Sequence, residues 1–212
     1  MKKGIKVKVC GLTREEDVCA ALTQGADAFG FIAYKASPRV VTLEQAQALA
    51  SLVPLAQRIV VDVEPELATI RAFQAAGFQN FQIHASLKAC EAYLAEWASV
   101  IGRDNLWIAP RLPSGTPLPK MLGHYTTTVV LDTYSTKRAG GTGEVGDWEG
   151  FRKFQAAHTN LQFILAGGLT AENIKTALTE STACFVDVNS GVESVPGLKD
   201  PAKLAAFFEA LK

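Results

Sequence analysis

The chain has 212 residues, and its 21 lysine and arginine side chains balance 21 aspartate and glutamate side chains. This length favours one large domain, and the absence of net charge gives no support for binding to nucleic acid or to an anionic membrane. The start, MKKGIKVKV, lacks the apolar core of a secretory signal, and no uncharged apolar run approaches the roughly 20 residues of a membrane helix. The four cysteines are scattered without metal-ligand spacing, so we expect a cytoplasmic protein with reduced thiols and no structural zinc.

Short apolar runs rich in β-branched residues recur along the chain, separated by glycine-bearing loops and helix-like segments. Their nearly continuous hydrophobicity is typical of parallel strands that are covered on both faces. In chain order the eight runs are 5–9, 27–33, 58–63, 80–84, 105–109, 127–132, 161–166 and 183–188. Helices are predicted at 13–25, 42–53 and 170–181, because each segment begins with a threonine followed by a glutamate, an N-terminal capping pattern.

Eight strands that alternate with helices at a period of roughly 25 residues predict an α/β fold closed into a (β/α)8 barrel. The competing architecture is an open doubly wound sheet, but the first strand is not followed by the GxGxxG loop of dinucleotide-binding sheets. Segment 110–125 contains four prolines, so a short helix after an extended loop is expected there. No break in composition divides the chain, and residues 1–212 are expected to form a single domain.

Two glycine-bearing loops are predicted at one rim of this barrel. Reactive groups of (β/α)8 barrels lie at the C-terminal ends of the strands, and the loops after strands seven and eight often bind phosphate. These loops read AGGLTAENI (166–174) and DVNSGVESVPGLKD (187–200). Because glycines at a helix N-terminus let backbone N–H groups approach an anion, the two loops together favour a phosphate site over simple tight turns.

A cysteine and an aspartate are predicted at the same rim, and each has two interpretations. Cys10, in KVCGLTREED (8–17), is either a small buried side chain or a base whose thiolate is supported by a helix N-terminus or a cation. Asp132 ends the sixth apolar run and is either a catalytic acid or the partner of Lys137 or Arg138.

Two further residues of the rim remain open in the same way. Arg39 is either a fork of donors for a carboxylate or a solvated loop arginine. His84 is either a base or ring-orienting donor, or a structural histidine. The loop GGTG at 140–143 also belongs to this rim.

Segments in a fixed order over nearly the whole chain match one enzyme family. They are KVCGLT (8–13), GADAFGFIAYKASPRVVT (25–42), QIH (82–84), LDT (131–133), GGTG (140–143), DW (147–148), AGGLTAENI (166–174) and VDVNSGVESVPGLKD (186–200). In these segments the chain resembles phosphoribosylanthranilate isomerase of tryptophan biosynthesis. The most specific signal is a combination of motifs. It consists of KVCGLT with the later SPR, and of VDVNSGVE followed by PG and KD.

The resemblance implies a (β/α)8 barrel catalytic domain that needs no cofactor and no metal. It implies an Amadori rearrangement of N-(5-phosphoribosyl)anthranilate to 1-(2-carboxyphenylamino)-1-deoxyribulose 5-phosphate. The only partner implied is this small phosphorylated aminosugar, with no nucleic acid and no membrane, and the chain is either a monomer or a homodimer. Relatives with this fold occur in both states, so the sequence does not choose between them.

The resemblance also implies roles for individual residues. Asp132 is the general acid that opens the sugar ring, and Cys10 is the general base that removes the proton from C2. The substrate-binding residues are Arg39, which holds the anthranilate carboxylate, Asp187, which binds a sugar hydroxyl, and His84. The phosphate-binding residues are Gly167, Gly168, Ser190 and Gly191.

The chain departs from the family pattern at four positions. Asp62 and Glu64, in VVDVE (60–64), stand where phenylalanine and asparagine are common. Ala85 replaces a glycine after the fourth strand, and Gly146 replaces an aromatic residue before DW. We expect these changes to affect pocket shape and local charge more than the acid–base pair, with a shift in substrate as one possible result.

Two other functions are compatible with parts of the pattern. A related isomerase of the histidine pathway carries out the same chemistry. That family, however, resembles two half-barrel repeats, and it has an aspartate at the position of Cys10. A non-catalytic barrel that binds a phosphometabolite would keep the glycine loops and lose the acid–base pair, whereas Cys10 and Asp132 are both present.

Overall fold

The structure is a computed structural model that describes residues 4–112, 116–132 and 146–212. Eight parallel strands close into a barrel in chain order, which confirms the predicted (β/α)8 architecture. The strands are β1 Lys6–Val9, β2 Ala28–Ile32, β3 Arg58–Val63, β4 Asn80–Ser86, β5 Leu106–Arg111, β6 Thr128–Asp132, β7 Gln162–Ala166 and β8 Phe185–Val188. Each of them overlaps one of the eight predicted runs.

Helices pack around the outside of the barrel. They are α1 Glu15–Gln24, α2 Leu43–Ala50, α3 Leu67–Ala75, α4 Leu87–Ile101, α5 Leu122–Tyr125, α6 Trp148–Ala157, α7 Ile174–Ser181 and α8 Pro201–Glu209. The four-residue α5 confirms the short helix expected in the proline-rich segment. A hairpin of β9 Glu193–Val195 and β10 Leu198–Lys199 follows the barrel. No helix of the described residues is long and apolar enough to span a membrane.

One of the three predicted threonine caps is confirmed. The Thr42 hydroxyl accepts a hydrogen bond from the backbone N–H of Gln45 at 3.2 Å, and the Gln45 side chain accepts one from the Thr42 N–H at 2.9 Å. This reciprocal capping box holds the start of α2, with glutamine in the position usually taken by glutamate.

The caps predicted at Thr13 and Thr170 are wrong. α1 begins after Arg14, and the Thr13 hydroxyl instead donates to the carbonyl of Gly197 at 2.5 Å, which ties the first loop to the β9–β10 hairpin. α7 begins after Asn173, whose side chain accepts from the backbone N–H of Thr170 at 2.8 Å. In the first loop a tertiary contact takes the Thr13 hydroxyl, and in the second an asparagine turn holds the Thr170 backbone N–H ahead of the helix.

The strands are buried on both faces, and this double burial creates two cores. In β1, Val7 and Val9 point outward into the large core between the strands and the helices. The opposite face points into the barrel, where Cys10 joins a smaller core. The other buried members of this inner core are Ala28, Ile32, Ile59, Val61, Trp107, Ala109, Val130, Ile164 and Phe185. Since side chains alternate along a strand, this arrangement also fixes which polar residues face inward.

Candidate active site

A cavity of about 420 Å³ opens at the C-terminal ends of the barrel strands. Its size suits a small-molecule ligand. All nine site residues expected from the sequence line it: Cys10, Arg39, His84, Asp132, Gly167, Gly168, Asp187, Ser190 and Gly191. The GGTG loop at 140–143, and the alternative partners Lys137 and Arg138, lie outside the described residues.

Cys10 follows β1 and is buried on the floor of this cavity. Its Sγ lies over Gly30 of β2, where an added Cβ would come within 2.8 Å of the sulfur. Glycine at this position therefore makes room for the thiol. Burial raises the pKa of the Cys10 thiol above its usual value, whereas the neighbouring Lys8 acts in the opposite direction. The pKa of the thiol therefore depends on the balance between its burial and this cation.

Lys8 is a residue of the site that the sequence reasoning missed. Its side chain is fully buried, and its Nζ lies 2.7 Å from Oδ2 of Asp187. The register of the sheet explains the pairing, since Lys8 and Asp187 are direct neighbours on β1 and β8. The signal was present in the sequence: Lys8 precedes Cys10 by two residues, so an inward Cys10 requires an inward Lys8.

Arg39 reaches the cavity from the loop after β2, and Glu193 holds it in place. Its Nε lies 2.9 Å from Oε1 of Glu193, and its Nη2 lies 2.7 Å from Oε2. These hydrogen bonds raise the pKa of the guanidinium further above its usual value. Arg39 is therefore an anchored side chain and not a solvated loop arginine. The guanidinium binds Glu193 through Nε and Nη2, along one side of the fork.

Glu193 is the centre of a second network that the sequence reasoning did not identify. Lys199 donates from Nζ to Oε1 of Glu193 and to Oδ1 of Asn189, at 2.9 Å in both cases. Burial alone would raise the pKa of Glu193, but hydrogen bonds from Arg39 and Lys199 bring it below its usual value. The network ties the loop after β8 to the loop after β2, so both are held in one position.

The two glycine loops meet at one side of the cavity. Gly167 and Gly168 follow β7, and Ser190 and Gly191 begin a short turn of 3₁₀ helix after β8. A Cβ added at Gly191 would collide with the carbonyl oxygen of Leu169, so only glycine allows this close approach. The geometry places both predicted phosphate loops side by side.

His84 lies on the inner face of β4 with its ring in the cavity wall. Burial, with smaller contributions from Lys8 and Arg111, lowers its pKa to about 4. The imidazole is therefore neutral near pH 7. The side-chain amide of Gln82 lies 3.0 Å from His84 Nε2, so the two side chains are hydrogen-bonded in the cavity wall. This environment favours a binding or orienting role over that of a strong base.

Asp132 is the last residue of β6 and lines the cavity at its exposed rim. β6 is separated from β1 by β7 and β8 around the barrel. The carboxyl group and the Cys10 thiol therefore face the cavity from different sides, as an acid and a base that act on different atoms require.

The departures from the family pattern lie mostly away from the cavity. Asp62 and Ala85 point outward, Asp62 toward α3 and Ala85 into the outer core, and neither lines the cavity. Glu64 accepts a hydrogen bond from the Ser86 N–H at 2.8 Å, and Gly146 accepts one from the Trp148 N–H. Strand alternation turns Asp62 and Ala85 away from the interior, so neither forms part of the cavity wall, and their effect on pocket shape stays a prediction.

The described residues contain no group of three or more His, Cys, Asp or Glu side chains arranged to hold a metal ion. The side chains of these four types that line the cavity lie on, or directly after, different strands.

The closed barrel, with its rim cavity and paired glycine loops, has the architecture of (β/α)8-barrel enzymes that act on phosphorylated substrates. Residues 7–210 match the family model of N-(5′-phosphoribosyl)anthranilate (PRA) isomerase. The chain belongs to this family.

Individual relatives agree with the family match over nearly their whole length. The chain is 35% identical to N-(5′-phosphoribosyl)anthranilate isomerase of Synechococcus elongatus, over 98% of this chain and 96% of that protein. The crystal structure of phosphoribosyl anthranilate isomerase from Thermus thermophilus has 31% identity and a TM-score of 0.78, with 98% of both chains covered. A phosphoribosyl anthranilate isomerase in complex with reduced 1-(o-carboxyphenylamino)-1-deoxyribulose 5-phosphate has 25% identity and a TM-score of 0.73, again with 98% of both chains covered.

Proposed function

We propose that the chain is a phosphoribosylanthranilate isomerase that converts N-(5-phosphoribosyl)anthranilate to 1-(2-carboxyphenylamino)-1-deoxyribulose 5-phosphate. The observation that carries this proposal is the single cavity lined by all nine expected site residues in a chain that matches the family from end to end. We further propose that residues 1–212 act as one catalytic domain in the cytoplasm, as a monomer or a homodimer, with the phosphorylated aminosugar as the partner.

The substrate carries a charged group at each end, and the cavity offers a matching subsite for each. Backbone N–H groups of Gly168, Ser190 and Gly191 are the donors proposed for the phosphate, since they lie where the two glycine loops meet. Arg39, anchored by Glu193, binds the anthranilate carboxylate through its outer edge.

A buried carboxylate oxygen supports a role for Asp187 in sugar binding. While Oδ2 binds Lys8, Oδ1 is buried and has no hydrogen-bond partner among the described residues. Buried polar atoms are nearly always hydrogen-bonded, so an acceptor left open on a cavity wall fits a hydroxyl donor from the ligand. We assign this place to a sugar hydroxyl.

The first chemical step is the opening of the furanose ring. Asp132 donates a proton to the ring oxygen while the nitrogen lone pair forms a double bond to C1 and the C1–O bond breaks. The product is an open-chain iminium ion, with its positive charge on the nitrogen. A positioned acid typically accelerates such a step by ~10²–10⁴-fold.

The second step is the removal of a proton from C2. The Cys10 thiolate takes this proton, and the C–H electron pair forms a C1–C2 double bond while the C=N pair returns to the nitrogen. The resulting enolamine tautomerises to the ketone product. Because the iminium acidifies C2, the thiolate does not need to be a strong base.

The proposal predicts turnover by the purified chain with no added metal. A fluorescence assay that follows the consumption of phosphoribosylanthranilate measures this directly. A parallel binding titration with the same compound separates the isomerase from a non-catalytic phosphometabolite-binding barrel. Binding without turnover would support the latter function and reject the isomerase.

Replacement of Gly191 by alanine tests the phosphate subsite. The new methyl group collides with the Leu169 carbonyl, so the loop must move and its N–H groups leave their positions. Because misplacement by about 1 Å costs on the order of 10²-fold, we expect kcat/KM to fall by about that factor, mainly through KM. Steady-state kinetics and inhibition by inorganic phosphate measure the change.

Gly77→Ala is the control for this substitution. Gly77 lies in the turn before β4 at the other end of the barrel, where a Cβ meets no atom within 4 Å. Its positive φ of 92° makes a loss of stability the expected effect, with KM unchanged. A Gly191→Ala variant with unchanged KM would remove this loop from the phosphate site.

A further inference from the structure

Lys8 and Asp187 form a charged pair beneath the cavity, and neither takes part in the proposed proton transfers. Lys8 is fully buried, and its ammonium is 2.7 Å from Asp187 Oδ2. Burial alone would lower the pKa of Lys8, but Asp187 and Cys10 together raise it above its usual value. Lys8 is therefore a buried cation that lies behind the wall of the cavity and does not itself line it.

This cation also lies beside the thiol. A Cβ placed on Gly30 would be 2.8 Å from Cys10 Sγ and 3.1 Å from Lys8 Nζ, so both atoms border the same small space. That geometry puts the two charges within the roughly 4–6 Å over which a cation favours an anion. The low dielectric of a buried site strengthens the effect.

The other titratable groups around Cys10 are less suited to this role. Those that face it or share its cavity are Arg39 after β2, His84 of β4, Asp132 of β6, Asp187 of β8 and Lys199 of β10. Arg39 and Lys199 both bind Glu193, whose single negative charge offsets one of their two positive charges. His84 is neutral near pH 7, and Asp187 opposes a thiolate. Lys8 has the strongest effect of the cations that favour the thiolate.

We propose that Lys8 is the positioning residue that makes Cys10 a base, because its buried ammonium is a counter-ion shared between Asp187 and the Cys10 thiolate. This inference rests on the proposed isomerase function only for its kinetic consequence. The electrostatic part concerns the free protein. In the resting cavity Asp187 balances Lys8 and Cys10 keeps its proton. When the thiol loses that proton to solvent, Lys8 is already in place to stabilise the negative sulfur.

The charge of Lys8 gives the direction of the pH effect. A base acts only when unprotonated, so turnover that depends on Cys10 rises as pH increases through the pKa of the thiol. Removal of the Lys8 cation moves that pKa further upward and leaves less thiolate at any fixed pH below it. The effect of one neighbouring charge, about 1–3 pH units, corresponds to about 10–1000-fold less thiolate.

The test is Lys8→Met, which keeps an unbranched side chain one atom shorter than lysine and removes the charge. The rate of alkylation of Cys10 by iodoacetamide, followed peptide by peptide by mass spectrometry at one mildly alkaline pH, reports the thiolate without any substrate. We expect this rate to fall by about 10–1000-fold. The exposed Cys19 and Cys184 serve as internal references whose rates stay constant. An unchanged rate at Cys10 overturns the proposal.

A double variant separates this role from a purely structural one. Lys8→Met leaves Asp187 as an unpaired buried charge and weakens the fold, whereas Lys8→Met with Asp187→Asn leaves no charge unpaired. If Lys8 acts on Cys10, alkylation in the double variant stays below that of the parent protein. A rate restored to the parent value means that Lys8 only neutralises Asp187, and the proposal is rejected.

Lys6→Met is the matched control, since Lys6 is on the same strand but exposed and two residues farther from Cys10. It should change neither alkylation nor turnover. In the isomerase assay, Lys8→Met is expected to lower kcat by the same factor as the alkylation rate, with a smaller change in KM. Lower alkylation in a protein that shows no turnover before mutation would reject the isomerase function and retain the electrostatic role of Lys8.

Discussion

Replacement of Cys10 by serine is expected to lower kcat for phosphoribosylanthranilate by about 10²–10⁴-fold, the usual contribution of a positioned general base. A hydroxyl holds its proton far more tightly than a thiol, so almost no anion forms near neutral pH even beside Lys8. The change replaces one atom in a site where Gly30 leaves space for the larger sulfur. KM and the thermal unfolding temperature should therefore stay close to the parent values.

Cys184→Ser is the control for this substitution. Cys184 is exposed and lies just before β8, at the end of the barrel opposite the cavity. The Cys184→Ser substitution makes the same change of one atom at a position outside the cavity, and it should leave kcat unaltered. Turnover within a few-fold of the parent in Cys10→Ser would show that another group removes the C2 proton.

Replacement of Asp132 by asparagine is the second large effect expected, a fall in kcat of about 10²–10⁴-fold. Asparagine has nearly the same shape as aspartate but has no acidic proton to give to the ring oxygen. Steady-state kinetics at one neutral pH measure the change.

The matched control is Asp104→Asn, at an exposed aspartate in the turn between α4 and β5 at the other end of the barrel. It carries the same chemical change and should have the parent kcat. If Asp132→Asn also keeps the parent kcat, the ring oxygen receives its proton from another donor, and the assignment of Asp132 must be withdrawn.

Much of the site was predictable because parallel strands bring distant segments to one rim. Once eight strands were recognised, the residues after each of them had to lie together at the C-terminal end of the barrel. Cys10 after β1, Asp132 at the end of β6 and the loops after β7 and β8 therefore meet in one cavity. No information about side-chain packing was needed for this step.

Local reasoning failed where a tertiary contact competed with a local one. Thr13 has the spacing of a helix cap, yet its hydroxyl binds the carbonyl of Gly197, more than 180 residues away. From its own segment of sequence, Arg39 could not be told apart from a solvated loop arginine. Its partner Glu193 comes from the β9–β10 hairpin and reaches it only in the folded chain. Partners so far apart in sequence leave no periodic signal at either position.

The sequence by itself determined the number of strands, their order in the barrel and the residues at its C-terminal rim, because hydrophobic patterning and strand polarity are local properties of the chain. The tertiary structure alone decided the electrostatics of the site. The pairing of Lys8 with Asp187 depends on the register between β1 and β8, the first and last strands, which closure of the barrel sets. Burial then gives these charges their strength, and burial is a property of the whole fold.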